Sequence, residues 1–151
     1  MKKRIMFDMD GTVADLYGVP NWLDKIRAED PTPYLEANPM WDMMELANTL
    51  LDLRARGGDV IVVSWLGMNS TPSYKNATRR AKKEWLESYG FGYDEIHLIQ
   101  YGTNKAKFRD DECLNILIDD NMNVRQKFER YENCIAVDPT TVDLIEFLRS
   151  L

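Results

Sequence analysis

Short apolar runs alternate with longer amphipathic segments along most of this chain. The apolar runs predict five strands, at residues 4–8, 59–64, 95–100, 114–118 and 134–137. The segments between them repeat apolar residues at helical spacing and predict helices at residues 41–56, 73–89, 121–131 and 141–148. Strands that alternate with helices predict an α/β protein with a parallel sheet and right-handed crossovers.

The helical spacing also predicts which side chains face the core. In the helix at residues 41–56 the apolar positions are Trp41, Met44, Ala47, Leu50 and Leu51. In the helix at residues 73–89 they are Tyr74, Ala77, Ala81 and Trp85. Thr140 or Thr141 is expected to cap the last helix.

Residues 15–40 interrupt this alternation. Four of the six prolines lie there, and only residues 22–26 have a short helix-like pattern. A segment of this length cannot bury a core of its own. It is therefore predicted to be an insertion that folds against the rest of the chain, and residues 1–151 are predicted to form one domain.

Composition narrows the functional classes. The net charge of −6 and the isoelectric point near 4.8 argue against a general binder of nucleic acids or acidic membranes. No apolar run approaches the length of a membrane span, and only three apolar residues separate the charged start from Asp8, unlike in a signal peptide. Cys113 and Cys134 lack metal-ligand spacing and are expected to be buried free thiols, which fits a cytoplasmic location.

Polar residues stand at the ends of three predicted strands. Asp8 and Asp10 lie at the end of the first strand, and Ser64 lies at the end of the second strand. The acidic pair 119–120 (Asp-Asp) directly follows the fourth strand. Ligands of open parallel sheets bind at the carboxyl ends of the strands, so these side chains are expected along one edge. Acids held two residues apart repel each other unless a cation lies between them, and Mg²⁺ prefers carboxylate oxygens. The pattern therefore predicts a site for Mg²⁺.

The string Asp8-Met9-Asp10-Gly11-Thr12, directly after an apolar strand, resembles motif I of the haloacid dehalogenase (HAD) superfamily. Most members of that superfamily are phosphatases and phosphotransferases. The resemblance implies a Rossmann-like three-layer sandwich with five parallel strands in the order 3-2-1-4-5 and a small cap inserted after the first strand, here at residues 15–40. It further implies that Asp8 is the nucleophile, that Asp10 is the general acid and base, and that the backbone carbonyl of Asp10 binds Mg²⁺.

Two further stretches resemble the phosphate-binding motifs of the same superfamily. Ser64 at the tip of the second strand resembles motif II, in which the hydroxyl and the next backbone N–H, here that of Trp65, donate to a phosphate oxygen. Lys105, after the third strand, resembles the motif III lysine that neutralises the phosphate and the nucleophile, and Lys107 is its competitor. An ordinary loop serine and a surface lysine are the structural alternatives.

Asp119 and Asp120 resemble motif IV, whose acids complete the Mg²⁺ site. By the usual pattern of the superfamily, Asp120 is the direct ligand, and Asp119 lies behind it and holds Lys105 or an ordered water. The helix predicted to begin near Asn121 offers an alternative, because a helix N-terminus also stabilises acids.

The insertion at residues 15–40 carries aromatic residues that can form a substrate pocket: Tyr17, Trp22 and Tyr34. Flat rings near a phosphate site can stack on a nucleobase. They can equally pin the insertion to the body, and this interpretation is favoured for Trp22 and Trp41. The chain is similar in pattern to the 5′(3′)-deoxyribonucleotidase group and to small bacterial and phage HAD phosphatases, although deoxyribonucleotidases carry a larger cap.

The helix from Lys75 to Lys83 carries five basic residues. They can form a docking strip for a nucleic-acid end, but a solvated helix face is the favoured interpretation. The leading hypothesis is an Mg²⁺-dependent phosphomonoesterase that acts on a small phosphorylated substrate such as a nucleoside monophosphate. A phosphatase of nucleic-acid ends and a non-catalytic Mg²⁺- or phosphate-binding module are the alternatives. The resemblance also leaves room for a homodimer, since small-capped members often cover the site with a partner subunit.

Overall fold

The structure, a computed structural model, describes residues 1–151 and follows the predicted order of elements. Its strands are β1 (Lys2–Phe7), β2 (Ala14–Asp15), β3 (Asn38–Pro39), β4 (Asp59–Trp65), β5 (Glu95–Ile99), β6 (Cys113–Ile118) and β7 (Cys134–Val137). Its α-helices are α1 (Trp22–Arg27), α2 (Thr32–Glu36), α3 (Met43–Ala55), α4 (Pro72–Ser88), α5 (Met122–Phe128) and α6 (Leu144–Arg149). Short 3₁₀ helices lie at Leu16–Gly18 and Lys105–Phe108.

Five strands form one parallel sheet in the order β5-β4-β1-β6-β7. Counted among themselves, these strands have the order 3-2-1-4-5, so the predicted α/β fold class and strand order are confirmed. β1 is the middle strand, and the chain adds β4 and β5 on one side of it and β6 and β7 on the other. The carboxyl end of β1 therefore lies at the centre of the sheet edge. The residues after β1 are therefore flanked by the ends of β4 and β6.

Helices cover both faces of the sheet, which is why its central strands carry runs of consecutive buried apolar residues, such as Ile5–Phe7 of β1 and Val60–Val63 of β4. On β1, Ile5 and Phe7 join the larger hydrophobic cluster, whereas Met6 joins a smaller cluster on the opposite face. Helices α3, α4 and α6 contribute to the larger cluster, and α5 contributes to the smaller one. Both cysteines are buried and unpaired, as predicted.

The predicted buried face of α3 is partly wrong. Leu50 is buried, but Met44 and Leu51 are 77% and 63% exposed. Leu46 and Leu53 are buried in their place, because the rotation of the helix is set by the sheet beneath it. The predicted face of α4 is essentially right, with Tyr74, Ala81 and Trp85 buried and Ala77 half-buried.

The N-cap of α6 also differs from the prediction. Asp143, rather than Thr140 or Thr141, caps the helix by accepting a hydrogen bond from the backbone N–H of Glu146. The two threonines instead form a turn with Asp138.

Residues 15–40 fold over the carboxyl end of the sheet. The short strands β2 and β3 pair antiparallel at the base of this segment, and α1 and α2 lie between them. Leu16 and Tyr34 of the segment pack against Tyr74 and Ala81 of α4. Trp41, at the exit, donates from its indole Nε1 to the carbonyl of Thr12 at 2.8 Å, so this ring pins the segment to the body.

No helix in the structure combines the length and the apolar character that crossing a membrane requires.

Candidate active site

The strand register brings the predicted acids together. Phe7, the last residue of β1, lies opposite Ile118, the last residue of β6. Asp8 and Asp119 are each the next residue along their strands, so the same register places them side by side. The backbone N–H of Asp8 also bonds to the carbonyl of Ile118 at 3.0 Å, which continues the ladder to the edge of the sheet.

A tight turn after Asp8 returns the chain over the site. The carbonyl of Met9 accepts from the backbone N–H of Thr12, and Gly11 has a φ of +79°. A Cβ at Gly11 would lie 2.3 Å from Oδ2 of Asp120 and 2.8 Å from the ring of Tyr17. Glycine is therefore required at this position for two reasons, namely the positive φ of the backbone and the close approach of Asp120.

The carboxylate of Asp8 is held at both oxygens. Its Oδ1 accepts from Lys105 Nζ at 2.9 Å, and its Oδ2 accepts from the hydroxyl of Thr12 at 3.1 Å. Lys105 also donates to Oδ2 of Asp119 at 2.7 Å. We call this group, Asp8, Thr12, Lys105, Asp119 and Asp120, the Asp8 corner.

Of the two candidate lysines, the structure brings only Lys105 to the site. Burial by itself would lower the pKa of Lys105, but the carboxylates of Asp8 and Asp119 outweigh that effect and raise the pKa above its usual value. This lysine therefore remains charged. Lys107 is exposed, and its ammonium lies over the ring of Phe108 instead.

Asp119 and Asp120 differ in their partners. Both oxygens of Asp119 are engaged, one by Lys105 and the other by the backbone N–H of Asn121 at 2.9 Å. Burial and the neighbouring Asp8 raise the pKa of Asp119 to about 6 and that of Asp120 to about 7. Asp120 has no lysine beside it, so its carboxylate is the group most in need of a cation.

The carboxylates of Asp8, Asp119 and Asp120 fit a divalent metal ion. One oxygen from each lies within 4.8 Å of the others, and all three are buried or half-buried. Hard oxygen donors are the ligands that Mg²⁺ prefers. The raised pKa values of Asp119 and Asp120 indicate uncompensated negative charge, which a cation at this point would relieve.

The second acid of the motif, Asp10, lies in a different set of contacts. Its Oδ2 accepts from Lys82 Nζ at 3.0 Å. The same ammonium donates to Ser64 Oγ at 2.8 Å and to the carbonyl of Trp65 at 3.0 Å. We call this group, Asp10, Ser64, Trp65 and Lys82, the Asp10 corner.

Burial raises the pKa of Asp10, Lys82 acts against that shift, and Asp8 adds to it, so that the pKa lies above its ordinary value. The carboxyl is therefore easier to protonate than an exposed aspartate. The side chain keeps 18% of its surface exposed and lines the cleft. A carboxyl with these properties can carry a proton to and from a bound group.

The prediction that Lys82 belongs to a solvated basic face is wrong. Lys82 is fully buried, whereas Arg80 and Lys83 of the same helix are exposed and Lys75 is half-buried. A signal for this was present in the sequence. At about 100° per residue, Lys82 lies on the side of α4 that carries Trp85, and Lys83 lies on the opposite side.

Thr12 is the second residue whose contact the sequence reasoning missed. It is the last residue of the motif I string, and its hydroxyl bonds to Asp8. The string itself was the available signal, because a hydroxyl four residues after a carboxylate can fold back onto it across a tight turn.

The acids line a cleft of about 410 Å³ whose other walls are largely apolar. Tyr17 and Trp22 form an edge-to-face pair with ring centroids 5.0 Å apart on the side of residues 15–40. Trp65 and Tyr101 form a tilted pair, 4.9 Å apart, on the other side. The predicted pocket residue Tyr34 also lines the cleft but is only 6% exposed.

The Trp65 ring is fixed in place. Its Nε1 donates to the carbonyl of Thr103 at 2.9 Å, and Lys105 Nζ lies 5.4 Å from the ring centroid. Trp65 also stands within β4, one residue beyond the predicted end of that strand. Trp22 packs against the core, the role favoured from the sequence, and it also lines the cleft.

Comparison with known proteins shows similarity in fold and not in sequence. No protein-family model matches the chain, and no curated protein matches it. The HAD domain of the effector protein Lem4 from Legionella pneumophila is similar over 99% of this chain and 93% of that chain, with a TM-score of 0.50 and 14% identity.

A chain of the Pnkp1/Rnl/Hen1 RNA repair complex is similar over 91% of this chain, with a TM-score of 0.61 and 17% identity. The present chain covers 42% of the length of that chain. At these identities the similarity shows the fold alone. The protein therefore has a HAD-like α/β fold, and its chemistry has to be argued from its own residues.

Proposed function

We propose that this protein is a phosphomonoesterase of the HAD type, dependent on Mg²⁺ and working through an aspartyl-phosphate on Asp8. The observation that carries the proposal is the placement of Lys105, which is buried and bonded to Asp8 at 2.9 Å and to Asp119 at 2.7 Å. A fixed cation beside a buried carboxylate at the floor of a cleft is what a phosphate dianion needs in order to approach an anionic nucleophile.

In the first step, a carboxylate oxygen of Asp8 attacks phosphorus and the bond to the ester oxygen breaks. Lys105 and the hydroxyl of Ser64 bind the oxygens of the transferring phosphoryl group. Asp10 protonates the departing ester oxygen, which suits a carboxyl whose pKa is raised. The products are the free alcohol and phosphorylated Asp8.

In the second step, a water attacks phosphorus and the bond to Asp8 breaks, which releases inorganic phosphate. Asp10, now a carboxylate, takes the proton of the water. Asp8, Asp120 and the carbonyl of Asp10 would hold Mg²⁺, with Asp119 behind them bonded to Lys105. The ion, when bound, supplies positive charge that offsets the repulsion between phosphate and carboxylate.

The cleft favours a small monophosphate with a flat, uncharged leaving group. Lys105 is the basic side chain that lines the cleft, and four aspartates line it as well. Their negative charge would repel a second phosphate. The pairs Tyr17–Trp22 and Trp65–Tyr101 offer aromatic walls on opposite sides. A nucleoside monophosphate has this chemistry, and residues 15–40 would act as a small cap over it.

The test is phosphate release from p-nitrophenyl phosphate and from a panel of nucleoside and sugar monophosphates, with Mg²⁺ and with a chelator. Wild type is expected to require Mg²⁺, and Asp8→Asn should lose more than roughly 10³-fold in kcat. Asp24→Asn, an exposed aspartate of the 15–40 segment, is the matched control and should leave kcat unchanged. Full activity of Asp8→Asn would refute the mechanism.

If no substrate of the panel releases phosphate and wild type nevertheless binds Mg²⁺, the protein is instead a non-catalytic binding module.

A phosphatase of nucleic-acid ends is the second candidate, favoured by the similarity in fold to a chain of an RNA repair complex. Arg80 on the exposed side of α4 could contact the phosphate backbone of such a substrate. For this function kcat/KM should be higher for a phosphorylated oligonucleotide than for a mononucleotide and should fall as salt rises. The leading proposal expects the mononucleotide to be the better substrate, with little dependence on salt.

A further inference from the structure

Lys82 is the buried charge that the four HAD-type motifs do not explain. It lies in the middle of α4 with none of its surface exposed. Burying an ammonium costs several kcal/mol unless acceptors surround it. Three acceptors do so here: Asp10 Oδ2 at 3.0 Å, Ser64 Oγ at 2.8 Å and the carbonyl of Trp65 at 3.0 Å.

These contacts use all the donors of the ammonium. A lysine has three N–H groups and no acceptor. Because each has a protein partner at 3.0 Å or less, none is left for a substrate oxygen. Lys105 differs in this respect, since its two bonds go to Asp8 and Asp119 and leave one donor over. Lys82 must therefore act through its neighbours.

Resting on the proposed function, we propose that Lys82 is a positioning residue that orients the Asp10 carboxyl for proton transfer and the Ser64 hydroxyl for phosphate binding. The Asp10 carboxyl is tied at Oδ2, so its other oxygen is the one available to the cleft. A hydrogen bond of this kind holds the carboxyl in one rotamer, which proton transfer in the first step requires.

The effect on Ser64 follows from the direction of the hydrogen bond. Ser64 Oγ accepts from Lys82, and its own hydrogen cannot point at an ammonium. The hydroxyl is therefore turned so that it can donate on the cleft side, where Ser64 forms part of the wall. One buried cation thus aligns both the proton carrier and a phosphate-binding donor.

Tyr34 closes the site of Lys82 from the other side. Its ring centroid lies 5.2 Å from Lys82 Nζ, and Tyr34 is a buried residue of the 15–40 segment. The ring shields the ammonium from water and adds a cation–π contact. This gives Tyr34 a defined task, which is to seal the Asp10 corner rather than to stack on a leaving group.

The decisive experiment compares Lys82→Met on two aromatic esters with different leaving groups. Benzyl phosphate releases an alkoxide that needs a proton, whereas p-nitrophenyl phosphate releases a stabilised anion that does not. The ratio kcat/KM covers the reaction up to the departure of this group. Lys82→Met should lose about 10²-fold in kcat/KM on benzyl phosphate and less than about 10-fold on p-nitrophenyl phosphate.

Lys83→Met is the matched control, because Lys83 is the next residue of the helix and is exposed. It should behave as wild type on both esters. Equal losses for Lys82→Met on the two esters, or a Lys82→Met variant as active as Lys83→Met, would overturn the proposal.

A double-mutant cycle on Tm tests the coupling without relying on activity. Lys82→Met leaves the half-buried Asp10 carboxyl beside Asp8 without its cation and should lower Tm. Asp10→Asn in that background should restore part of the loss, so the two changes are not additive. Additive changes would overturn the proposal. If wild type released no phosphate from either ester, the proposed function would fail, and this cycle would still decide whether Lys82 holds Asp10.

Discussion

The two corners of the site each pair an aspartate of the motif I string with a buried lysine, but the two lysines differ in what they leave free. Lys105 bridges Asp8 and Asp119 and keeps a donor for the cleft. Lys82 is saturated by Asp10, Ser64 and the carbonyl of Trp65. A buried lysine with a free N–H donor can therefore bind a substrate, whereas one with all donors engaged can only orient its neighbours. The number of its hydrogen bonds to protein atoms distinguishes the two roles.

Replacing Lys105 should have the largest effect. In the proposed mechanism Lys105→Met removes the charge that binds the transferring phosphoryl group, so we expect a loss of roughly 10³-fold in kcat/KM. The loss should be similar for benzyl and p-nitrophenyl phosphate, because Lys105 has no hydrogen bond to Asp10. Lys107→Met, exposed and two residues away, should leave kcat/KM unchanged. A loss that depends on the leaving group would remove the distinction between the corners.

Gly11 joins the two corners, and its replacement should have the next largest effect. In Gly11→Ala the new Cβ meets Asp120 Oδ2 at 2.3 Å, so Asp120 must move away from the other carboxylates. We expect the Mg²⁺ concentration for half-maximal activity to rise about 10-fold or more, with kcat reduced by about 10²-fold.

Gly57→Ala separates this effect from backbone strain. Gly57 has a comparable φ of +91°, and nothing lies within 4 Å of its added Cβ. Both variants should lose stability, by about 1 kcal/mol, because a residue with a Cβ is disfavoured at positive φ. If the Mg²⁺ concentration for half-maximal activity were the same in the two variants, the contact between the new Cβ and Asp120 would not be the cause of the effect.

Thr12 should contribute less than either. Thr12→Val removes the hydroxyl that bonds to Oδ2 of Asp8 and leaves Lys105 to hold the carboxylate alone. We expect a loss of about 10-fold in kcat with both esters. Thr49→Val is the control, because Thr49 is a buried threonine whose hydroxyl bonds to a helix carbonyl away from the site. A loss confined to benzyl phosphate would place Thr12 in the Asp10 corner instead.

The smallest effect concerns stability without metal. The folded protein holds the pKa of Asp120 at about 7, above its ordinary value of 3.8, so the folded state binds the proton more tightly than the unfolded state. Stability should therefore fall as pH rises from about 4 to about 7, and should recover as pH is lowered through that window. Asp119, with a pKa of about 6, acts in the same direction.

Tm measured in a chelator should accordingly be higher for Asp120→Asn than for wild type at pH 8, by about 3 °C or more, and the difference should shrink toward pH 4. Added Mg²⁺ should raise the Tm of wild type and not that of Asp120→Asn. If the difference in Tm between the two proteins did not change with pH, the charged form of Asp120 would not be destabilised by its surroundings.

The limits of sequence reasoning are clearest on α4. Tyr74, Ala81 and Trp85 could be assigned to the core because apolar side chains at helical spacing have one stable place to go. Lys82 could not be assigned with the same certainty. A lysine on the edge of a buried face is usually exposed, and only Asp10 and Ser64, distant in sequence, make its burial favourable.

The choice between Lys105 and Lys107 was open for a related reason. Both follow the same turn, and their separation of two residues says nothing about which one the 3₁₀ helix directs inward. The contact of Lys105 with two strand ends decides it. The same holds for α3, where Met44 and Leu51 fit an apolar stripe and nevertheless face outward.

The sequence by itself determined the parallel α/β fold, the order of its elements and the acids at the strand ends. These properties depend on local patterns: β-branched runs, helical spacing and the Asp8-Met9-Asp10-Gly11-Thr12 string. The tertiary structure alone decided how those acids are divided between two lysines, and which aromatic residue seals the second one. That division depends on contacts between residues up to 97 positions apart, which strand register and helix packing create and no local pattern encodes.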